Sequence, residues 1–452
     1  FSGIFRSVYL YAKPRYHVED VWVRAGLRED YRTGTFALGI RVSAGMDGGS
    51  ALKTRWVRSL DGSGVMAEWR LCGQDGDVVT VGRIGGNDAK AVNGAGQGRL
   101  EDSRYLILTE EEIPDVRSWS SKSPYMYQLY ISLKQEDGEV IEVVPLKTGF
   151  RRFEIKDKIM LMNGERIIIN GVNRHEWNPR RGRAVTPEDM RRDIEILKRN
   201  NINAVRTCHY PNDERFLDLC DERGMYVWEE NHARGFGLER MQNPNFDVQC
   251  RDCIDEMIGN HFNHPSIIIW GILNECASET EEGREKYARQ YAQIRSLDSS
   301  RPTTSATCRH LKDICLDLPD IVSFNMYSGW YKDVSIEETN ERELDWIQKS
   351  GGNGKPVIVS EFGAAAIYGF RDRSHCKWSE ERQADIIREN LEVYMKNEAI
   401  CGVFVWQFAD CRVTEEEWFS TRARCHNNKG VVDEYRRPKF AFDTVKEMFQ
   451  SK

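Results

Sequence analysis

Two glutamates each close a strongly apolar run: Glu275 follows IIIWGILN and Glu361 follows KPVIVS. A carboxylate at the end of a buried strand sits where a parallel barrel gathers its chemistry. Two carboxyl groups about 5 to 5.5 Å apart can cleave a glycosidic bond with retention, one as nucleophile, the other as acid and then base. The acid has to be protonated near neutral pH, which burial or the neighbouring charge achieves. The nucleophile has to stay ionised, which hydrogen-bond donors or a nearby guanidinium such as Arg206 can ensure. Asn274, next to Glu275, suits a sugar 2-hydroxyl. Tyr327, Trp330, Tyr331 and Trp406 offer faces for a pyranose ring, whereas Trp270, inside its run, reads as core.

Two kinds of element must position these residues. Residues 13–150 alternate apolar and polar positions in short runs, as in HVEDVWVRA, GTFALGIRVSA, MAEWRLCG and YMYQLYISLKQ, which predicts a small antiparallel β-sandwich. The clusters GQDGD, GGNDAK and NGAGQG read as turns needing positive φ, since no strand-then-helix context makes them phosphate cradles. From about residue 158, apolar runs alternate with amphipathic helices, the signature of a parallel sheet with crossovers. Eight strand candidates end at Asn173, His209, Asn231, Glu275, Thr307, Tyr327, Glu361 and Asp410, so residues 151–452 are expected to close a (β/α)8 TIM barrel. Thr186 caps a helix beginning at Pro187, with Met190, Ile194 and Leu197 as its buried stripe. The strand ends would also bring together Arg174, His175, Glu176, Glu229, Glu230, His232 and Asn325.

The chain has 452 residues, enough for two or three domains, and 64 Lys+Arg against 71 Asp+Glu leave a formal charge of −7, which argues against nucleic acid as a partner. No run approaches the roughly 18 apolar residues of a membrane span. The 12 cysteines lack the spacing of a disulfide scaffold and are read as reduced, which points to a cytoplasmic compartment. The Cys250/Cys253 pair has no second CxxC or HxxxH partner and is read as structural. Residues 1–12, FSGIFRSVYLYA, look like a strand already under way, so sequence upstream of Phe1 is expected.

The motifs NGVNRHE (170–176), RTCHYP (206–211), HFNHPSIIIWGILNE (261–275) and VSEFG (359–363) resemble those of glycoside hydrolase family 2, the family of β-galactosidases and β-glucuronidases. The likeness runs over the whole chain. It implies that Glu275 is the acid/base and Glu361 the nucleophile, that residues 1–12 are the last strand of an upstream jelly-roll domain, and that 13–150 are the immunoglobulin-like middle domain. Toward the C-terminus, FNMYSGWY, WSEERQ, WQFAD and the run Asn427, Asn428, Lys429 are similar to bacterial β-glucuronidases. In that subgroup an Asn-x-Lys motif holds the substrate carboxylate, and an ammonium with an amide is suited to a C6 carboxylate. In the N-terminal half, NRHEWNP looks more like the β-galactosidase version. Trp177 stands where glucuronidases carry an Asp, and His232 and Arg234 are additions, Arg234 being either a second carboxylate contact or a loop salt bridge.

The reading is therefore a retaining exo-β-glycosidase for terminal β-linked uronic acids, glucuronate first, with β-galacturonidase or β-galactosidase as alternatives. Catalysis falls to Glu275 and Glu361, and substrate binding to Asn274, His175, His232, Arg234, Asn325, Tyr327, Tyr331, Trp406, Asn427 and Lys429. The mechanism requires no cofactor, although Glu176 is a possible metal ligand and a metal-dependent hydrolase is a rival reading. A carbohydrate-binding protein with a dead barrel is a further rival, disfavoured because both carboxylates are kept. The expected partners are a small-molecule glycoside or oligosaccharide and further copies of the chain in a homo-oligomer, with no nucleic acid and no membrane.

Overall fold

The structure is a computed structural model and describes residues 3–45, 54–56, 60, 62–85, 106–415 and 422–450. The alternating runs pair as antiparallel strands because their apolar side chains fall on one face. One sheet contains Tyr16–Leu27, Gly34–Gly45 and Thr54–Trp56, with Leu106–Ile113 on the second of these. The other runs Val78–Gly85, Val65–Cys72, Tyr127–Gln135, Val140–Thr148. Phe36, Leu38 and Ile40 of the first sheet share a core with Leu129, Ile131 and Leu133 of the second, giving the immunoglobulin-like sandwich. GQDGD turns between two strands with Gly76 at φ 85, while GGNDAK and NGAGQG lie outside the described residues. Residues 3–14 belong to no ladder among the described strands.

A small three-stranded sheet, Phe153–Lys156, Ile159–Met162 and Glu165–Arg166, leads into a closed parallel barrel. The eight barrel strands are Ile169–Asn173, Ala204–Thr207, Tyr226–Glu230, Ile267–Asn274, Thr303–Thr307, Val322–Asn325, Val357–Phe362 and Ile400–Val405. Each arises from one expected run, because strands buried on both faces read as continuous apolar segments. The eighth stops at Val405 rather than Asp410. Beyond it the backbone leaves the ladder for other partners, Gln407 N to Lys429 O at 2.9 Å and Phe408 N to Asn173 O at 2.9 Å.

The first crossover helix, Pro187–Arg199, has a complete capping box between Thr186 and Asp189 and buries Met190, Asp193, Ile194 and Leu197. Trp270 is fully buried and its indole donates to Asp298 at 2.7 Å, so it is core. Cys250 and Cys253 share the helix Phe246–His261, and all twelve thiols are free. No described helix is long and apolar enough to cross a membrane.

Candidate active site

Glu361 sits inside the seventh strand and Glu275 immediately follows the fourth, with a left-handed φ of 53° that turns the chain out of the barrel wall. Between them in the order of the sheet, the sixth strand ends on Asn325 and sends Tyr327 beyond it. The second strand contributes Arg206, wholly buried.

Arg206 is the hub of the floor. Its Nη1 donates to Glu361 Oε1 at 2.9 Å and to Asn173 Oδ1 at 3.1 Å. Its Nη2 donates to Asn274 Oδ1 at 2.8 Å, and Nε and Nη2 grip Glu230 at 2.9 and 3.0 Å. The other oxygen of Glu361 accepts from Tyr327 at 2.8 Å. Burial and then the charge of Glu275 push Glu361 up to about 7, against the pull of Arg206 and Tyr327. Glu275 accepts from Asn325 Nδ2 at 2.8 Å, and Asn325 is fixed in turn because its Oδ1 accepts from Ser360 at 2.7 Å.

Above this floor stands a basic group. Lys429 Nζ donates to the Tyr331 hydroxyl at 2.7 Å and lies 5.2 Å from the Tyr327 ring centroid and 4.8 Å from that of Tyr331. Lys429 is 4% exposed, and burial, with Arg422 nearby, lowers it to about 7. Tyr327 thus connects the two parts, its hydroxyl on Glu361 and its ring beneath Lys429.

The remaining expected residues divide. Trp406 is buried and stacks on His209, centroids 5.3 Å apart, with His175 edge-on to it at 5.5 Å. His175 is half-buried, hydrogen-bonded to Tyr210 at 3.2 Å, and held neutral by burial and surrounding cations. Asn427 is buried with Oδ1 unpartnered among the described residues. His232 is turned to Asn231, 3.0 Å away, and Arg234 is exposed, with only its backbone bridged to Asn274. Neither of these last two meets the carboxylate pair through a hydrogen bond or ion pair among the described residues.

Ser360 and Lys439 support the site and were not marked as such by the sequence, whereas Asp410 was expected at the barrel mouth as the end of the eighth run. Ser360 is one residue from Glu361 but faces the other way along its strand, and Lys439 precedes a helix far down the chain.

The candidate metal ligand Glu176 is already engaged. Its Oε2 pairs with Arg6 at 2.6 Å and its Oε1 accepts from Asp213 N at 3.0 Å. Ligand atoms of His175, Cys208 and His209 lie within 4.8 Å of one another. Burial drives the Cys208 thiol well above its ordinary value, and His209 Nδ1 is committed to Glu230 at 2.7 Å, so this set is a poor fit for a cation.

A β-sandwich followed by a (β/α)8 barrel, with two carboxylates delivered by opposite strands to its C-terminal mouth, defines a modular barrel protein of the glycoside-hydrolase type. Residues 153–452 match the TIM barrel domain of glycosyl hydrolases family 2, residues 73–151 match a second domain of the same family, and the chain belongs to that family. It is 38% identical over 312 residues to a β-galactosidase of Streptococcus thermophilus, an alignment covering 66% of this chain and 27% of that protein, so the chain spans about a quarter of that relative's length. Among solved structures it resembles a β-galacturonidase from Eisenbergiella tayi bound to galacturonate, at 40% identity and a TM-score of 0.82, covering 97% of this chain and 73% of that one. A β-D-glucuronidase of Dictyoglomus thermophilum is similar at 25% identity and a TM-score of 0.80, covering 97% and 69%.

Proposed function

We propose that this chain carries the active site of a retaining exo-β-glycosidase that removes a terminal β-linked uronic acid, galacturonate ahead of glucuronate. Glu361 attacks the anomeric carbon while Glu275 protonates the leaving oxygen. Glu275 then takes the proton of the water that releases the sugar. The donors support this division of labour. Glu361 receives a guanidinium and a phenol, whereas Glu275 receives one neutral amide. When the pair shares a single negative charge, Glu361, with the stronger hydrogen-bond donors, is the one placed to hold it. Asn274, its Oδ1 taken by Arg206, keeps its amide nitrogen for a sugar hydroxyl.

The observation that carries the uronide reading is Lys429. Among the described residues it has neutral hydrogen-bonding partners and no ion pair, although it is 4% exposed. A buried ammonium without a counter-charge is costly. A C6 carboxylate bound over Tyr327 would supply that charge through a strong charge-assisted bond. Galacturonate is placed first because the galacturonate-bound relative is 40% identical over nearly the whole chain and the glucuronidase is 25% identical. Trp177, in place of the glucuronidase Asp, favours the same order. The glucuronate preference suggested by the C-terminal motifs is kept as the second reading.

The test compares kcat/KM for p-nitrophenyl β-galacturonide, β-glucuronide and β-galactoside in the protein and in Lys429→Ala. A uronide should win, and the variant should lose selectively on it, by about tenfold or more. A galactoside preference untouched by Lys429→Ala would place the site with the β-galactosidases.

A further inference from the structure

A single buried ion pair bonds to the backbone on both sides of Lys429, beside the bonds that Ala366 N makes to Asn428 O and Gln407 N makes to Lys429 O. Asn428 O, on one side, accepts from Lys439 Nζ at 3.0 Å. Gly430 N, on the other, donates to Asp410 Oδ1 at 2.8 Å. The same Asp410 oxygen pairs with Lys439 Nζ at 2.8 Å, and that ammonium gives its third bond to Ala366 O at 2.8 Å. Asp410 is 3% exposed and Lys439 is 1% exposed.

The three contributing segments are distinct. Asp410 follows the eighth barrel strand, Ala366 follows the seventh, which bears Glu361, and Lys439 caps the last helix, Phe440–Met448. The pair therefore ties the Lys429 loop to the strand of the candidate nucleophile, while neither member bonds to Glu275, Glu361, Tyr327 or Tyr331 among the described contacts.

Stability alone is a weak reason for such a pair. Replacing a buried ion pair by apolar side chains of similar volume is often neutral or stabilising, because two desolvated charges recover little more than they lose. What apolar side chains cannot do is bond Asn428 O and Gly430 N at once. Those two groups flank one residue, and their positions fix where its side chain leaves the backbone.

We infer that the Asp410–Lys439 pair is a positioning device that sets the Lys429 ammonium over the sugar site, and so governs selectivity for acidic glycosides. The inference rests on the uronide reading and adds to it two residues that never touch the substrate. A positioning residue acts only through the residue it positions, which makes its effect non-additive with loss of that residue.

The experiment is a double-mutant cycle on p-nitrophenyl β-galacturonide hydrolysis with Lys439→Met, Lys429→Ala and both together. Lys439→Met should raise KM about tenfold with kcat little changed, the pattern of lost uniform binding. Lys429→Ala/Lys439→Met should be no worse than Lys429→Ala. An unchanged KM in Lys439→Met, or losses that add in the double variant, overturns the inference. Lys439→Met leaves Asp410 buried and unpaired, so Asp410→Leu/Lys439→Met is the companion that removes both charges. It should show the same KM shift, and wild-type KM in it overturns the inference too. The two readings fail differently. A silent Lys429→Ala sinks the uronide reading, whereas a damaging Lys429→Ala with a silent Lys439→Met sinks the positioning role alone.

Discussion

Arg206 and Glu361 form a buried ion pair, Nη1 to Oε1 at 2.9 Å, and yet Glu361 is pushed up to about 7. The guanidinium cannot commit itself to one carboxylate. It also serves Glu230 through two nitrogens and Asn274 through one. Burial and the charge of Glu275 outweigh the share that remains. Protonating Glu275, as the leaving-group step requires, removes one of those two opposing causes and lets Glu361 ionise when it is needed.

A raised carboxyl costs stability when it ionises. Between its ordinary value of 4.5 and about 7 the folded protein holds a proton that the unfolded chain has released, so stability falls as pH rises through that window. Glu361→Gln removes the titration. Its thermal midpoint should lie above the parent's at pH 8, and the gap should close toward pH 4.5, while turnover falls on the order of 10³-fold or more. A midpoint difference independent of pH would show that Glu361 carries no such burden.

Asn325 gives a second prediction through the leaving group. Its amide is locked by Ser360 so that Nδ2 faces Glu275. Asn325→Ala should disorient the acid, with an effect that depends on how much protonation the leaving oxygen needs. Alkyl uronides should lose about tenfold or more in kcat, and p-nitrophenyl uronides, whose leaving group departs as an anion, much less. Equal losses on both substrates would mean that Asn325 acts on sugar binding instead.

The barrel was legible because most of its strands are apolar runs buried on both faces, and because Glu275 and Glu361 interrupt that texture at the end of two of them. The supporting pairs were not legible, for a physical reason. Lys439 and Asp410 are 29 residues apart and meet across a backbone path that has no periodicity. Arg234 differs from them: its backbone bridges Asn274 beside the site, and its side chain is exposed there. The extra sandwich strands, such as Val78–Gly85, were missed because half-exposed edges carry a weaker alternation.

Gly430 gives a third prediction. A Cβ built there would lie 2.3 Å from Asp410 N and 2.3 Å from Val432 O, both backbone atoms that cannot swing aside. Gly430→Ala must therefore shift the loop next to Lys429. KM for a uronide should rise, with a smaller change in kcat, and circular dichroism should show the barrel intact. Unchanged kinetics would mean that the loop absorbs a methyl group without moving Lys429.

Arg6 and Glu176 give the last. Glu176 is 2% exposed and raised by burial, and its near neighbour Asp213 adds a like charge. Arg6 answers both, at 2.6 Å to Glu176 and 3.5 Å to Asp213. A guanidinium thus occupies the place a divalent cation would need, so dialysis against a chelator should leave turnover unchanged. Arg6→Ala removes that cation from a buried carboxylate. The variant should melt below the parent at pH 8, where the unfolded chain has Glu176 ionised, and the difference should shrink toward pH 4, where both states are protonated. The damage should reach the site as well. The Tyr210 hydroxyl accepts from Glu176 N at 3.1 Å and also meets His175 Nδ1 at 3.2 Å, so a shifted Glu176 moves the imidazole that lies against Trp406. If magnesium restores the melting temperature of Arg6→Ala but leaves the parent untouched, the arginine is doing a cation's work; if chelation inactivates the parent, Glu176 binds metal despite Arg6 and the assignment fails.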